Sequence, residues 1–180
     1  MPEHAAPIDF SGLIREGDLV VCGQATAEPV TLTEALMAQA GHLPPFRMMV
    51  GPVFSDTFSA ACAPNVVFQS YGVIGNARRL ARAGRLDVIP SNYSAFCADF
   101  ATRRHKADVV LVQLAEAGDG RLSASLSNDY GRRARRASRH RRDQSGCAVY
   151  VWRGMARRGA DPYARGRPPT TCRAGFDAAR

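Results

Sequence analysis

No apolar run in this sequence approaches the roughly 20 residues that a membrane-spanning helix needs, so no bilayer crossing is expected. The opening MPEHAAPIDF has neither a basic n-region nor an apolar h-region, and no secretory signal is expected. Cysteine is sparse and odd in number. Cys22, Cys62, Cys97, Cys147 and Cys172 form no CxxC pair, which points to reduced cytoplasmic thiols rather than a disulfide framework or a zinc site. His4, His42, His105 and His140 lie at no metal-ligand spacing, so no metal is expected.

What remains is ample for a core. Hydrophobic residues make up 46% of 180 residues, which excludes a chain disordered or fibrous by composition and suits one α/β domain. The net charge of +8 is unevenly placed. Residues 1–130 hold ten Lys and Arg against thirteen Asp and Glu, a balance of −3. Residues 131–180 hold fourteen Arg and no Lys against three acids, a balance of +11. The chain changes character after Tyr130.

The pattern before that point is strand, loop, helix, strand, repeated. Asp18–Cys22 reads as a strand, and GQATAEP as the loop after it. Thr31 with Glu34 three residues on looks like a capping box opening an amphipathic helix that buries Leu32, Leu36 and Met37. Gly41 ends that helix and Phe46–Val50 is the next strand. GPVFSDT (51–57) is a second strand-end loop, with a short helix expected near Phe58–Cys62. An apolar run at Val66–Phe68 leads into the stretch Gln69–Ala95 and the two make a βαβ unit: a turn at Gly72 and Gly75, a basic helix from Asn76 to Ala83, a stop at Gly84 and a second run at Leu86–Pro90. A turn and short helix follow at Tyr93–Thr102. Ala107–Leu114 is a continuous β-branched run, as in a strand buried on both faces. After a turn at Gly118–Gly120, Leu122–Ser127 alternates like a hairpin strand. The expected fold is α/β, an open and mainly parallel sheet with flanking helices, and residues 131–180 are expected to be irregular or disordered.

Taken in order, IREGDLVVCGQATAEP, GPVFSDT, YGVIGNARRLARAGRLDVIP and ADVVLVQLAEAGDGRLSASLSNDY resemble the acetyl-CoA hydrolase/CoA-transferase family, in particular the acetate and 4-hydroxybutyrate type of CoA-transferase. The resemblance runs from about Ile14 to Tyr130. It implies two similarly built open-sheet domains facing one another, of which this chain supplies most of the first. It also implies a cytoplasmic enzyme that moves CoA between an acyl-CoA and a short carboxylic acid. Coenzyme A is then a substrate, no further cofactor is needed, and the full-length protein can form homo-oligomers. In the family a glutamate attacks the thioester to give a mixed anhydride, and covalent catalysis divides one hard exchange into easier steps. That glutamate belongs to the second half of the protein, so no residue here is assigned as catalytic.

For substrate and CoA contacts the expected residues are Gly23, Gln24, Glu28, Gly72, Gly75 and Asn76. Gly23 and Gln24 let backbone amides approach a ligand, although Gly23 merely turning the chain reads equally well. Glu28 reads as loop structure or pocket lining rather than as the nucleophile. Gly72, Gly75 and Asn76 are expected to cap the basic helix. Its arginines (Arg78, Arg79, Arg82, Arg85) read as a solvated face before they read as phosphate ligands. Asn92 and Tyr93 stand where a pocket opens, Tyr93 as ordinary wall, and Cys22 reads as a buried structural thiol.

Beyond Tyr130 the family's next segment, a basic-alanine helix followed by V-I-A-E-x-N, is absent. Arg139–Gly154 can be written in synonymous codons that, read one base later, give V-I-A-E-T-N-Q-A-A-P-S-T-S-G-G. The expectation is that the natural frame is lost just after Tyr130, leaving a truncated chain. The rival reading is an α/β binding protein whose basic tail holds nucleic acid; nucleic acid is not the expected partner.

Overall fold

The computed structural model describes the backbone of residues 8–59, 64–116, 122–123, 140–144 and 147–153, with side chains for 8–59 and 64–114. Five strands pair in parallel: β1 (Leu19–Cys22), β2 (Phe46–Met49), β3 (Val66–Ser70), β4 (Leu86–Val88) and β5 (Val109–Glu116). Their order is β4-β3-β2-β1-β5. In register, Val20 of β1 faces Met48 on one side and Val109 on the other, and Met48 faces Phe68. The chain therefore winds outward from β1 to β4 and then returns to lay β5 on the other edge of β1. That reversal is a topological switch point between β1 and β5, the place where open α/β sheets bind ligands.

Strand alternation divides the core into two layers. Val20, Cys22, Met48, Phe68, Val109 and Leu111 pack on one face with Leu32 and Leu36 of α1 (Val30–Gln39) and Ala77 and Leu80 of α2 (Ala77–Arg82). Leu19, Val21, Met49, Val110, Val112 and Leu114 pack on the other with Phe96, Cys97 and Phe100 of α3 (Tyr93–Ala101). This period of two, with both faces apolar, is what a doubly covered parallel sheet demands. Ahead of β1, Ile8, Phe10, Leu13 and Ile14 are buried against the α1 layer. The Gln39 side chain ties that strap down, accepting from the Phe10 amide at 2.9 Å and donating to the Ile8 carbonyl at 2.6 Å.

Several local expectations are corrected. The Thr31–Glu34 capping box does not form: Pro29 is the N-cap of α1 and no side chain caps it. The cap therefore sits two residues earlier than expected, at Pro29, and Thr33 instead turns its hydroxyl back to the Val30 carbonyl. Asn76 is the N-cap of α2, but its side chain does not cap the helix either. Asn92 does cap α3, accepting from the Ala95 amide at 2.9 Å. Gly84, at φ +66, ends the α2 turn in the left-handed conformation, as its place in the sequence suggests. The helix expected near Phe58–Cys62 and the turn at Gly118–Gly120 lie largely outside the described residues.

The expectation of an irregular 131–180 segment is corrected at residues 140–144 and 147–153, the part of it that the structure describes. His140–Gln144 (β7) and Cys147–Arg153 (β8) are strands, with β8 antiparallel to β5 from Val109 to Ala115 and β7 antiparallel to β8. The run CAVYVWR is β-branched and aromatic, and β5 otherwise presents an unpaired edge. The short strand β6 (Leu122–Ser123) pairs antiparallel with Ala115 and Glu116. Because β8 occupies one edge of β5, β6 takes the edge shared with β1, just past the point where β1 ends. It borders the switch point.

Candidate functional site

All five parallel strands end at one rim, and the loops after β1, β2, β3 and β4 meet there. The loop after β1 begins with Gly23, whose amide donates to the Leu111 carbonyl at 3.0 Å and prolongs the contact with β5. Gln24 follows, only 8% exposed. Ala25 adopts φ +50, an uncommon conformation for a residue with a Cβ, and donates its amide to the Pro52 carbonyl at 2.7 Å. A 3₁₀ turn at Ala25–Ala27 then delivers Glu28 inward, 5% exposed.

The buried Glu28 carboxylate is met by the loop after β2. The Phe54 and Ser55 amides donate to its Oε2 at 3.2 and 3.4 Å, and the Ser55 hydroxyl donates to its Oε1. Three donors offset the desolvation that burying a carboxylate would otherwise cost. The Ser55 hydroxyl also lies 2.9 Å from the Thr57 hydroxyl oxygen.

From the opposite side the same loop is gripped by the loop after β3. The Asn76 side-chain amide donates to the Phe54 carbonyl at 2.7 Å and the Ser55 carbonyl at 2.9 Å. The Asn76 backbone amide donates to the Val53 carbonyl at 2.7 Å, and Val53 and Gly75 form a parallel bridge. Arg79 closes the grip through an ion pair with Asp56. Phe54 and Ser55 thus have their amides held by Glu28 and their carbonyls by Asn76. Between these clamps Phe54 is 63% exposed, and its ring lies beside Gly75.

A second tie crosses the rim on the α3 side. Tyr71 donates its hydroxyl to Gln24 Oε1 at 2.9 Å, and Gln24 Nε2 donates to the Tyr93 hydroxyl at 3.1 Å. The two tyrosine rings lie 5.6 Å apart, and Tyr71 packs on Phe96 at 4.7 Å. Burial pushes the Tyr71 hydroxyl up from its ordinary pKa, with Cys97 adding to the shift and the Gln24 bond opposing it. Burial likewise pushes the Cys22 thiol well up, and the neighbouring Glu28 charge adds to it. A thiol so placed is a poor nucleophile.

Of the six residues expected to touch substrate, the structure gathers Glu28, Gly75 and Asn76 about the 53–55 segment and sets Gln24 apart with the two tyrosines. Gly72 joins neither group: the Ser70 hydroxyl donates to its carbonyl at 2.7 Å, and a Cβ there would meet the Ile74 side chain at 3.7 Å. Gly23 lies at the switch point. The helix arginines follow the solvated reading in part, since Arg78, Arg79 and Arg82 are exposed, while Arg85 donates to the Val66 carbonyl at 3.2 Å. Sequence reasoning did not single out Ser55, and it placed Tyr71 only at the strand end, near Tyr71–Gly75, where a parallel sheet binds ligands. Ser55 lies inside GPVFSDT, where the polar run Ser55–Thr57 at a strand end was the available signal. For the pairing of Tyr71 with Gln24 there was no signal, because the two are 47 residues apart. Among the described residues no group of three or more His, Cys, Asp or Glu could hold a metal ion, and no helix is long and apolar enough to cross a membrane. No protein-family model matches the chain, and a search of curated proteins finds no match.

Proposed function

We propose that this chain is the N-terminal α/β part of an acyl-CoA:carboxylate CoA-transferase or acetyl-CoA hydrolase of short-chain acyl-CoA metabolism, and that it is inactive alone. The observation that supports this reading is the meeting of three motif loops. GQATAEP, GPVFSDT and YGVIGN are separate in sequence, carry the resemblance, and are bonded to one another at one rim of the sheet. A parallel sheet offers that rim to ligands.

The rim supplies positioning rather than a nucleophile. Glu28 is committed to three donors and Asp56 is paired with Arg79, so neither carboxylate is poised to attack a thioester. In the proposed reaction the attacking glutamate comes from a facing domain encoded beyond Tyr130 in the shifted frame. The glutamate attacks the acyl-CoA thioester and expels CoA thiolate to give a mixed anhydride, and the thiolate then attacks the glutamyl carbonyl, releasing the first acid and leaving an enzyme thioester. The acceptor carboxylate displaces the thiolate to form a second anhydride, whose acceptor carbonyl the thiolate attacks, giving the new acyl-CoA and the free glutamate. The rim described here then forms one wall of the CoA-ester site, in a cytoplasmic protein.

The gene provides the test. Read one base later beyond Tyr130, it is expected to encode V-I-A-E-T-N-Q-A-A-P-S-T-S-G-G in place of Arg139–Gly154. Restoring that frame should yield a protein that transfers CoA from acetyl-CoA to a carboxylate or hydrolyses it, while the purified 180-residue chain does neither. Turnover by the short chain, or a shifted frame that encodes something else, would overturn the proposal.

A further inference from the structure

Two consecutive backbone amides and a hydroxyl converge on the Glu28 carboxylate, and both carboxylate oxygens are engaged. We infer that the 53–57 segment is a binding site for a small carboxylate, filled in this chain by Glu28 as an internal ligand. A free carboxylate takes the same place when that side chain is removed.

Three features carry this. First, the donors form a neutral concavity of main-chain N–H groups of the kind that binds anions without a nearby cation. Arg79, which reaches the same segment, is paired with Asp56. The donors address two oxygens separately, through the amides to Oε2 and the hydroxyl to Oε1, so the geometry fits a planar carboxylate better than a spherical halide.

Second, the segment does not owe its shape to Glu28. Asn76 holds the Phe54 and Ser55 carbonyls, Gly75 bridges Val53, the Ala25 amide holds Pro52, and the Val50 amide donates to the Gln69 carbonyl at 2.9 Å. Cutting back Glu28 leaves four independent anchors in place, so the donors stay aimed at the vacated position. A strut whose removal let the loop collapse would lack these anchors.

Third, the donors lie near the surface although the Glu28 side chain is buried: Ser55 and Thr57 are half-buried and Phe54 beside them is 63% exposed. Short acids such as formate and acetate match the size of the side-chain end they replace.

This inference needs neither CoA nor turnover, so it and the transferase reading can fail separately. The experiment is chemical rescue in the full 180-residue chain carrying Glu28→Ala. Thermal unfolding is followed at pH 7 in sodium chloride, formate and acetate at equal ionic strength. Acetate and formate should raise Tm by about 3 °C or more over chloride, as expected for a ligand at about ten times its Kd. The wild type, whose site is filled, should show no difference between the salts. Adding Ser55→Ala should abolish the carboxylate increment. Glu28→Gln, which still fills the space, should not respond. Equal Tm values in chloride and acetate for Glu28→Ala overturn the inference, as does an equal response from Glu28→Gln. Should Glu28→Ala fail to fold in chloride, a cooperative transition regained in acetate supports the site, and none regained counts against it.

Discussion

Gly75 and Val53 approach so closely that a Cβ built on the glycine would fall 2.2 Å from the Val53 carbonyl oxygen. The glycine also sits at φ +63, where a side chain is strained whatever space is available. Backbone meets backbone here, so no rotamer change can relieve the clash.

Gly75→Ala should therefore cost at least about 2 kcal/mol, combining left-handed strain with displacement of the bridge. Gly72→Ala, where only a flexible side chain lies nearby, should cost much less. Urea unfolding of the two variants checks the difference. Similar losses at both positions would mean that the Val53 contact is not the reason for the glycine.

Asn76 is a donor facing two carbonyls. Asn76→Ala should cost about 1–3 kcal/mol by leaving those carbonyls short of a partner. Asn76→Asp should be worse, because a carboxylate would face two carbonyl oxygens and stand 3.3 Å from the Asp56 carboxylate. An Asp variant as stable as the Ala variant would show that the loop turns away from position 76.

The Tyr71–Gln24 bond invites a double-mutant cycle. Tyr71→Phe leaves the buried Gln24 carbonyl oxygen without that donor, and the coupling with Gln24→Leu should be about 0.5–2 kcal/mol. A coupling within error of zero would mean that the tie contributes nothing to holding the rim.

Cys22 and Tyr71 make a prediction about alkaline pH. Both have folded-state pKa values raised above the unfolded ones, Cys22 by burial and then Glu28, Tyr71 chiefly by burial. As pH rises past about 8.5 the unfolded thiol loses its proton while the folded one keeps it, so stability falls. Tyr71 adds to the fall above about pH 10. Cys22→Ala should flatten the first part of this decline. At neutral pH Cys22 should resist alkylation in the native protein and react once it is unfolded, as peptide mass spectrometry would show.

The parallel strands could be read from the sequence because each is a short apolar run bounded by a turn residue, and their burial on both faces leaves little competing pattern. The helices at Val30 and Tyr93 could be read too, yet the cap of the first could not, because Pro29 and Thr31 both offer a start and only φ decides between them. Within β8, Val149–Trp152 reads from the sequence as too short and isolated to join a core, since an apolar run among arginines cannot reveal the edge of β5 that pairs with it. At the candidate site, Glu28, Gly75 and Asn76 stood out as a carboxylate, a glycine and a capping residue at strand ends. Their actual task is to hold Val53–Ser55 from both sides, and that depends on contacts spanning more than twenty residues. Local pattern carries no record of such partners.

The ties among the strand-end loops have a mechanical consequence. Glu28 and Asn76 lace three loops together, and Gln24 laces the first of them to Tyr71 and to the start of α3. A rim built this way should open as one cooperative unit rather than loop by loop. Amide exchange at Phe54, Ser55 and Asn76 would then share one opening free energy, and a perturbation at Glu28 would be felt across the sheet at Tyr93.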